Sequence, residues 1–172
     1  MNKINISWRE FDKMCNKIAL QILKSGYKPD YIVGINRGGL PVAVVLSHLL
    51  EVPLYTLKVT LRDGAEEDCD HNCWMSEDAI GYGEAGCLEA EKTNILIVDD
   101  INDTGATYAW IQKDWRQNAL PTFNDWDTVF GDNVKFAVLV NNASSNQKAD
   151  YAAMQINKAK DPSWIVFPWE AE

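Results

Sequence analysis

Three aspartates lie in one short segment, residues 95–107, with the sequence ILIVDDINDTGAT. Asp99 and Asp100 follow four apolar residues, and Asp103 precedes a Thr-Gly-Ala-Thr turn. The apolar residues predict a buried strand, and in open α/β sheets ligands bind outside the carboxyl ends of such strands. The segment therefore combines carboxylates, which accept hydrogen bonds and attract cations, with a turn that could hold an anion.

The turn is typical of a phosphate-binding loop. Gly105 permits a positive φ angle, and successive backbone N–H groups at the start of a helix form an anion site that the helix dipole strengthens. Hydroxyl groups of Thr104 and Thr107 add donors. Carboxylates beside a bound phosphate suit the hydroxyls of a ribose and favour a nearby cation. The residues that we expect to bind a sugar phosphate are Asp99, Asp100, Asp103, Thr104, Gly105, Ala106 and Thr107.

Two other interpretations of the aspartates remain open at this point. Asp and Thr are good N-cap residues, so an acidic strand end could simply cap the following helix. The adjacent pair Asp99 and Asp100 could also form a metal-dependent aspartyl phosphotransfer site. That second alternative leaves the Thr-Gly-Ala-Thr turn unexplained.

The elements that must position these residues follow from hydrophobic patterns. Ser7 and Glu10 form a capping box for a helix with apolar residues at helical spacing, and Gly26 is a suitable end. Strands alternate with helices, and the strands are short apolar runs, which predicts an α/β fold with a mostly parallel twisted sheet flanked by helices. We expect helices at 8–25, 40–50 and 107–117, strands at 31–35, 54–60, 95–98 and 134–140, a long weakly structured excursion at 63–91 and a loop-like insertion at 119–133.

Length and charge restrict the function. The 172 residues suit one domain spanning 1–172. A net charge of −9, without clustered basic residues, argues against nucleic acid as a partner. The longest apolar run, 40–50, is too short to span a membrane, and the N-terminus lacks an apolar signal core, so we expect a cytoplasmic protein.

Three segments, in order along the chain, resemble type I phosphoribosyltransferases. VDDINDTGAT resembles the family's signature for binding phosphoribosyl diphosphate (PRPP). GINRGGLPVAVVLSHLL is similar to the pyrophosphate loop of the bacterial xanthine or xanthine-guanine subgroup, and DPSWIVFPWE is similar to that subgroup's base-pocket segment. The resemblance implies the fold of that family, with a small hood or lid subdomain at about 61–91.

The resemblance also implies an activity: transfer of the 5-phosphoribosyl group from PRPP to a purine, with release of pyrophosphate, in nucleotide salvage. Asp103 would be the catalytic acid or base. Asp99 and Asp100 would hold the ribose hydroxyls and the Mg²⁺ ion. Residues 103–107 would wrap the 5′-phosphate. The residues that would contact pyrophosphate are Arg37, Gly38 and Gly39.

The base pocket departs from the family pattern. Trp164 would stack on the base, and the backbone near Ile165 would contact the base edge. Relatives place a lysine after the strand at 134–140, whereas this chain has Asn141 and Asn142. Because an amide can either donate or accept, Asn142 leaves xanthine, guanine and hypoxanthine all open. A catalytically silent PRPP- or nucleotide-sensing regulator of the same fold is the alternative function. The family also implies a homo-oligomer, a dimer or a tetramer.

The cysteines allow one further interpretation. Without a secretory signal, a disulfide framework is not expected. Residues with zinc-binding side chains lie close together in the excursion, and they could ligate Zn²⁺, although their spacing is not a standard one. They are Cys69, His71, Cys73 and Cys87. Ordinary roles in the excursion are the simpler interpretation.

Overall fold

A five-stranded parallel sheet forms the centre of the computed structural model, which describes residues 2–61, 69–81 and 91–170. Its spatial order is β3-β2-β4-β5-β6. Two short strands, β1 and β7, pair with each other in a separate parallel ribbon. The strands are β1 (Lys3–Asn5), β2 (Tyr31–Asn36), β3 (Leu54–Lys58), β4 (Ile95–Asn102), β5 (Val134–Asn142), β6 (Tyr151–Ile156) and β7 (Trp164–Val166).

Helices cover both faces of the sheet, because alternate residues of each buried strand point to opposite sides. On β4, Leu96 belongs to the core under the first two helices, and Ile97 belongs to the core under the other two. The helices are α1 (Trp8–Ser25), α2 (Gly39–Leu50), α3 (Cys73–Ile80) and α4 (Ala106–Asn118), with a 3₁₀ turn at Trp126–Thr128. None of the helices in the described ranges is long and apolar enough to cross a membrane.

Local signals in the sequence position the first two helices. Ser7 and Glu10 form the predicted capping box, and Gly26 ends α1 in the left-handed conformation with φ of 76°. Gly34 allows α2 to lie directly on β2, because a Cβ atom there would come within 2.8 Å of the Cβ of Ala43. The β2–α2 connection is consequently held against the middle of the sheet.

The predicted fold class is confirmed, but β4 and β3 end at other residues than expected. β4 runs to Asn102 rather than ending at 98, because its pairing with β5 continues as far as Asn102 and Asn141. Asp99 and Asp100 are therefore the last part of a strand and not the loop beyond it. The strand expected at 54–60 is shorter, and β3 ends at Lys58.

The excursion is more ordered than the sequence predicted. The expectation of weak structure is wrong for 73–80, which form α3. The helix packs through Met75 and Ile80 into the same core as Ile111 of α4. Residues 62–68 and 82–90, which complete the predicted hood, lie outside the described residues. β6 and β7 were not predicted at all.

Candidate active site

The first structural feature of the site is the close approach of the two glycines to the two adjacent aspartates. A Cβ atom on Gly38 would lie 2.0 Å from Oδ2 of Asp100, and one on Gly39 would lie 2.5 Å from the carbonyl oxygen of Val98. A side chain at Gly39 would displace the backbone of β4, and a side chain at Gly38 would collide with the carboxylate of Asp100. The structure thus brings the predicted pyrophosphate loop and the predicted ribose-binding acids together, although they are far apart in the sequence.

The two aspartates are largely withdrawn from water. Asp99 is 9% exposed, and its Oδ1 accepts a hydrogen bond of 2.9 Å from the Asp100 backbone N–H. Burial, followed by the neighbouring charge of Asp100, raises the pKa of Asp99 well above its usual range. Burial likewise raises the pKa of Asp100 to about 6. The protein therefore keeps two costly carboxylates at one position, which favours an interaction with a cation or with hydroxyl donors.

The carboxylates of Asp99 and Asp100 suit a Mg²⁺ ion that shares its ligands with substrate and water, more than a metal ion that is bound entirely by protein side chains. Within the described ranges, no group of three or more His, Cys, Asp or Glu side chains could hold a metal ion. Mg²⁺ commonly uses one or two protein carboxylates and completes its shell with water and substrate phosphates. Asp99 and Asp100 match that donor set.

Three of the four residues that could ligate zinc lie in the described part of the chain, and two of them contact protein groups instead. Nδ1 of His71 is in hydrogen-bond contact with Oδ1 of the buried Asp114 on α4, and the Sγ of Cys69 lies 3.8 Å from the carbonyl oxygen of Thr60. Cys73 is exposed at the start of α3. Cys87 lies outside the described residues.

The predicted phosphate turn adopts a rigid, supported conformation. Gly105 has φ of 90° and directly precedes α4, so it sits in the left-handed region that glycine favours. A Cβ atom there would meet the backbone nitrogen of Gln147 and the Oγ of Ser145, both at 2.8 Å. The carbonyl of Thr104 accepts a hydrogen bond from the Asn146 backbone N–H. The loop after β5 therefore supports the turn from behind and leaves its front open.

Asp103, the first residue of the turn, forms an ion pair that the sequence did not predict. Oδ2 of Asp103 lies 2.6 Å from Nζ of Lys158, which follows β6. The same ammonium lies 5.9 Å from the centroid of the Trp164 ring. Trp164 is 48% exposed although it belongs to β7, whereas its neighbour Ile165 is buried. An exposed indole near an ammonium that also pairs with a carboxylate is a suitable platform for a flat polar ligand.

The structure places Asn142 behind the site and not within it. Its Nδ2 donates to the carbonyl oxygen of Asp103, and its Oδ1 accepts from the backbone N–H groups of Ser144 and Lys158. Asn142 is buried and does not line the cleft. The expected contact between Asn142 and a base is therefore not provided by this geometry, because the amide is already used to hold two neighbouring loops.

A cleft of about 1280 Å³ connects the glycine loop and the adjacent aspartates with the turn and with Trp164. It is open to Arg37, Gly38, both adjacent aspartates, the whole turn, Trp164 and Ile165, whereas Gly39 lies beneath its surface. Sequence reasoning missed several residues that also line it: Lys58, Phe136, Lys158, Trp169 and Glu170. The short, mostly apolar run YAAMQI could have revealed β6, and with it the position of Lys158.

A parallel sheet with a glycine-containing turn before a helix, a carboxylate pair and a glycine loop at one edge is typical of proteins that bind a phosphorylated sugar. The chain belongs to the phosphoribosyl transferase family, whose domain model matches residues 7–172. The predicted resemblance is thereby confirmed, and the protein is a phosphoribosyltransferase.

Individual relatives cover almost the entire chain. It is 25% identical to the hypoxanthine-guanine phosphoribosyltransferase of Schizosaccharomyces pombe, over 99% of this chain and 90% of the relative. A purine phosphoribosyltransferase from Pyrococcus horikoshii superimposes with a TM-score of 0.67 at 25% identity, covering 100% of this chain and 97% of its own. The xanthine-guanine-hypoxanthine phosphoribosyltransferase of Helicobacter pylori shares the fold, with a TM-score of 0.66, 19% identity, and coverage of 99% and 93%.

Proposed function

We propose that this phosphoribosyltransferase transfers the 5-phosphoribosyl group of PRPP to a purine base and releases pyrophosphate, as a step of purine salvage. The observation that carries the proposal is the exposed Trp164 ring in the same cleft as Asp103, with the ammonium of Lys158 near both side chains. The purine enzymes that resemble the chain over 99% or more of its length support the same substrate class.

The cleft offers a distinct place for each part of PRPP. The backbone N–H groups of 103–107 and the start of α4 would bind the 5′-phosphate. Asp99 and Asp100 would accept hydrogen bonds from the ribose hydroxyls. Arg37 and the backbone of Gly38 would bind the pyrophosphate, which needs charged donors and a close approach of the backbone.

Mg²⁺ is the cation that we assign to the carboxylate pair, held directly or through water. When bound, it would neutralise the pyrophosphate and orient it for departure. The raised pKa values of Asp99 and Asp100, both caused first by burial, support this assignment because a nearby cation offsets the cost of the buried charges.

Asp103 would manage the proton of the incoming base. As N9 of the purine forms its bond to the anomeric carbon, the bond from that carbon to pyrophosphate breaks. The proton on N7 moves to a carboxylate oxygen of Asp103, so the neutral purine becomes a neutral nucleotide base. Asp103 lines the cleft with its side chain 42% exposed, so a substrate can reach it.

The excursion at 61–91 would act as the hood that keeps water from the reacting ribosyl carbon. Its described part is firmly attached: the hydroxyl of Tyr31 donates to Oδ2 of Asp78, and Asn133 donates to the carbonyl of Ala79. Leu61, where the hood begins, lines the cleft. We also expect a homo-oligomer and a cytoplasmic location, both of which stay predictions.

The direct test is to mix the protein with Mg²⁺, PRPP and one base at a time from a panel of purines and pyrimidines. Pyrophosphate release and the matching nucleotide are expected with one or more purines, and neither is expected when EDTA removes Mg²⁺. Tight PRPP binding with no pyrophosphate from any base would overturn the proposal and favour a regulatory PRPP sensor.

A further inference from the structure

Three side-chain amides form a row across the carboxyl ends of β4, β5 and β6. Asn102 pairs in the sheet with Asn141, and Asn141 pairs with Gln155, so the three residues are neighbours on adjacent strands. Nδ2 of Asn102 donates to Oδ1 of Asn141 at 2.8 Å, and Nδ2 of Asn141 donates to Oε1 of Gln155 at 2.8 Å. Asn102 and Asn141 are both buried. We call Asn102, Asn141 and Gln155 the amide row.

Asn102 also connects the amide row to the loop that follows β5. Its Nδ2 donates to the carbonyl oxygen of Gln147 at 2.8 Å, and its Oδ1 accepts a hydrogen bond of 3.0 Å from Oγ of Ser145. Because a carbonyl oxygen can only accept, the contact with Gln147 fixes which end of the Asn102 amide is the nitrogen. Asn102 borders the cleft, but both of its N–H donors are used within the protein.

The residues held in this way lie directly against the phosphate turn at 103–107. A Cβ atom on Gly105 would come within 2.8 Å of both the backbone nitrogen of Gln147 and Oγ of Ser145. Between those two residues, the Asn146 backbone N–H donates to the carbonyl oxygen of Thr104 at 3.1 Å. The amide row therefore reaches two consecutive residues of the turn through direct contacts.

Firm support matters at this turn because backbone N–H groups bind a phosphate well only when they converge on one point. A turn that holds its binding conformation only part of the time lowers the apparent affinity in proportion to that part. A hydrogen-bonded buried network favours a single arrangement, whereas an apolar side chain at position 102 would leave a loop carbonyl and a hydroxyl unpaired. The amide row is consequently suited to preorganising the turn.

We propose that Asn102, acting through the loop at 143–147, positions the phosphate turn and thereby sets the affinity for the 5′-phosphate of the substrate. Asn102 is a positioning residue, since it contacts the loop behind the turn and not the phosphate. The inference rests on the function proposed above, because that function assigns the 5′-phosphate to the turn. It adds that the ends of β5 and β6 control the affinity of a turn that follows β4.

The test compares wild type with Asn102→Leu, which is close in size to Asn but removes both donors and the acceptor. Asn94→Leu is the matched control, because Asn94 precedes the other end of β4, donates to the carbonyl oxygen of Lys28 and does not line the cleft. Calorimetry with Mg²⁺ measures the affinities for PRPP, ribose 5-phosphate and pyrophosphate.

We expect Asn102→Leu to weaken the binding of PRPP and of ribose 5-phosphate about tenfold, as for a turn that is competent about a tenth of the time. Pyrophosphate should change by about twofold or less, since in the proposed function it contacts residues 37–39 and not the turn. Asn94→Leu should leave all three affinities within about twofold of wild type. Ser145→Ala is a milder second variant, which removes only the hydroxyl, and it should weaken the same two ligands by a smaller factor.

Hydrogen exchange of the free protein provides a measurement that needs no ligand. The amides at 103–107 and 143–147 should exchange faster in Asn102→Leu than in wild type, and those of α1 should not. Equal weakening of all three ligands would indicate a general loss of structure and would overturn the inference, as would unchanged affinities. If wild type binds PRPP in this Asn102-dependent way but releases no pyrophosphate with any base, the proposed reaction fails and the role of Asn102 stands.

Discussion

Replacing Asp100 by Asn should make the protein more stable at neutral pH and worse at binding PRPP. Asn has nearly the same shape as Asp, so the close packing of Gly38 against this side chain is preserved. The change removes a charge that burial makes costly. We therefore expect that Asp100 serves binding at the expense of stability.

The expected gain follows from the pKa of Asp100, which burial raises from 3.8 to about 6. The folded protein holds this proton more tightly than the unfolded chain does. The unfolding free energy therefore falls as pH rises through that interval and remains lower above it. At about 1.4 kcal/mol per pH unit, the cost at pH 7 reaches up to about 3 kcal/mol, which Asp100→Asn would remove. Below the ordinary pKa of the carboxyl, wild type and variant should be equally stable.

Urea unfolding at pH 7 and near pH 4, without PRPP or Mg²⁺, measures this difference. Asp132→Asn is the matched control, because Asp132 is exposed in a turn away from the cleft. PRPP affinity, measured by calorimetry with Mg²⁺, should fall about tenfold or more in Asp100→Asn, since a carboxylate acceptor for the ribose is lost. A variant that is no more stable than wild type at pH 7, or that gains equally at both pH values, would refute the reasoning.

Three further changes test other parts of the site. Asp103→Asn should lower kcat by about 10²- to 10⁴-fold, the usual contribution of a general acid or base. Rapid-quench assays and PRPP titration should show binding almost unchanged; an equal loss in both would exclude the proton-transfer role. Gly38→Ala should lower kcat/KM for PRPP tenfold or more, which corresponds to about 1.4 kcal/mol. The reason is that the Cβ of the alanine would lie 2.0 Å from Oδ2 of Asp100. Unaltered steady-state kinetics would contradict this expectation. His71→Ala should lower the melting temperature by about 2–4 °C, since the contact with Asp114 attaches the hood to α4, and hydrogen exchange in α3 should rise; unchanged exchange would contradict the attachment.

The phosphate turn illustrates what local patterns can predict. Gly105 needs a positive φ, and the residues around it begin a helix, so its conformation follows from a few neighbouring residues. The capped first helix follows in the same way from Ser7 and Glu10. The order of apolar runs and turns was also sufficient for the fold class, because a buried parallel sheet requires short continuous apolar strands.

The base end of the cleft shows where local patterns fail. The sequence suggested that the amide of Asn142 contacts the base. In the fold that amide instead bonds to the backbone of Asp103 and Lys158, because the ends of β5 and β6 lie side by side. Whether a polar side chain faces a ligand or a neighbouring loop depends on which strand ends next to it.

The amino-acid sequence by itself therefore determined the family, the conformation of the turn at 103–107 and the acidic pair at the end of β4, since each is a property of contiguous residues. The partnership of Asp103 with Lys158, 55 positions further on, depended on tertiary structure. The same holds for the closeness of Gly38 to Asp100 and for the order within the hood at α3. Such contacts arise when separate strands and helices pack, and the spacing of residues along the chain does not encode their distances in space.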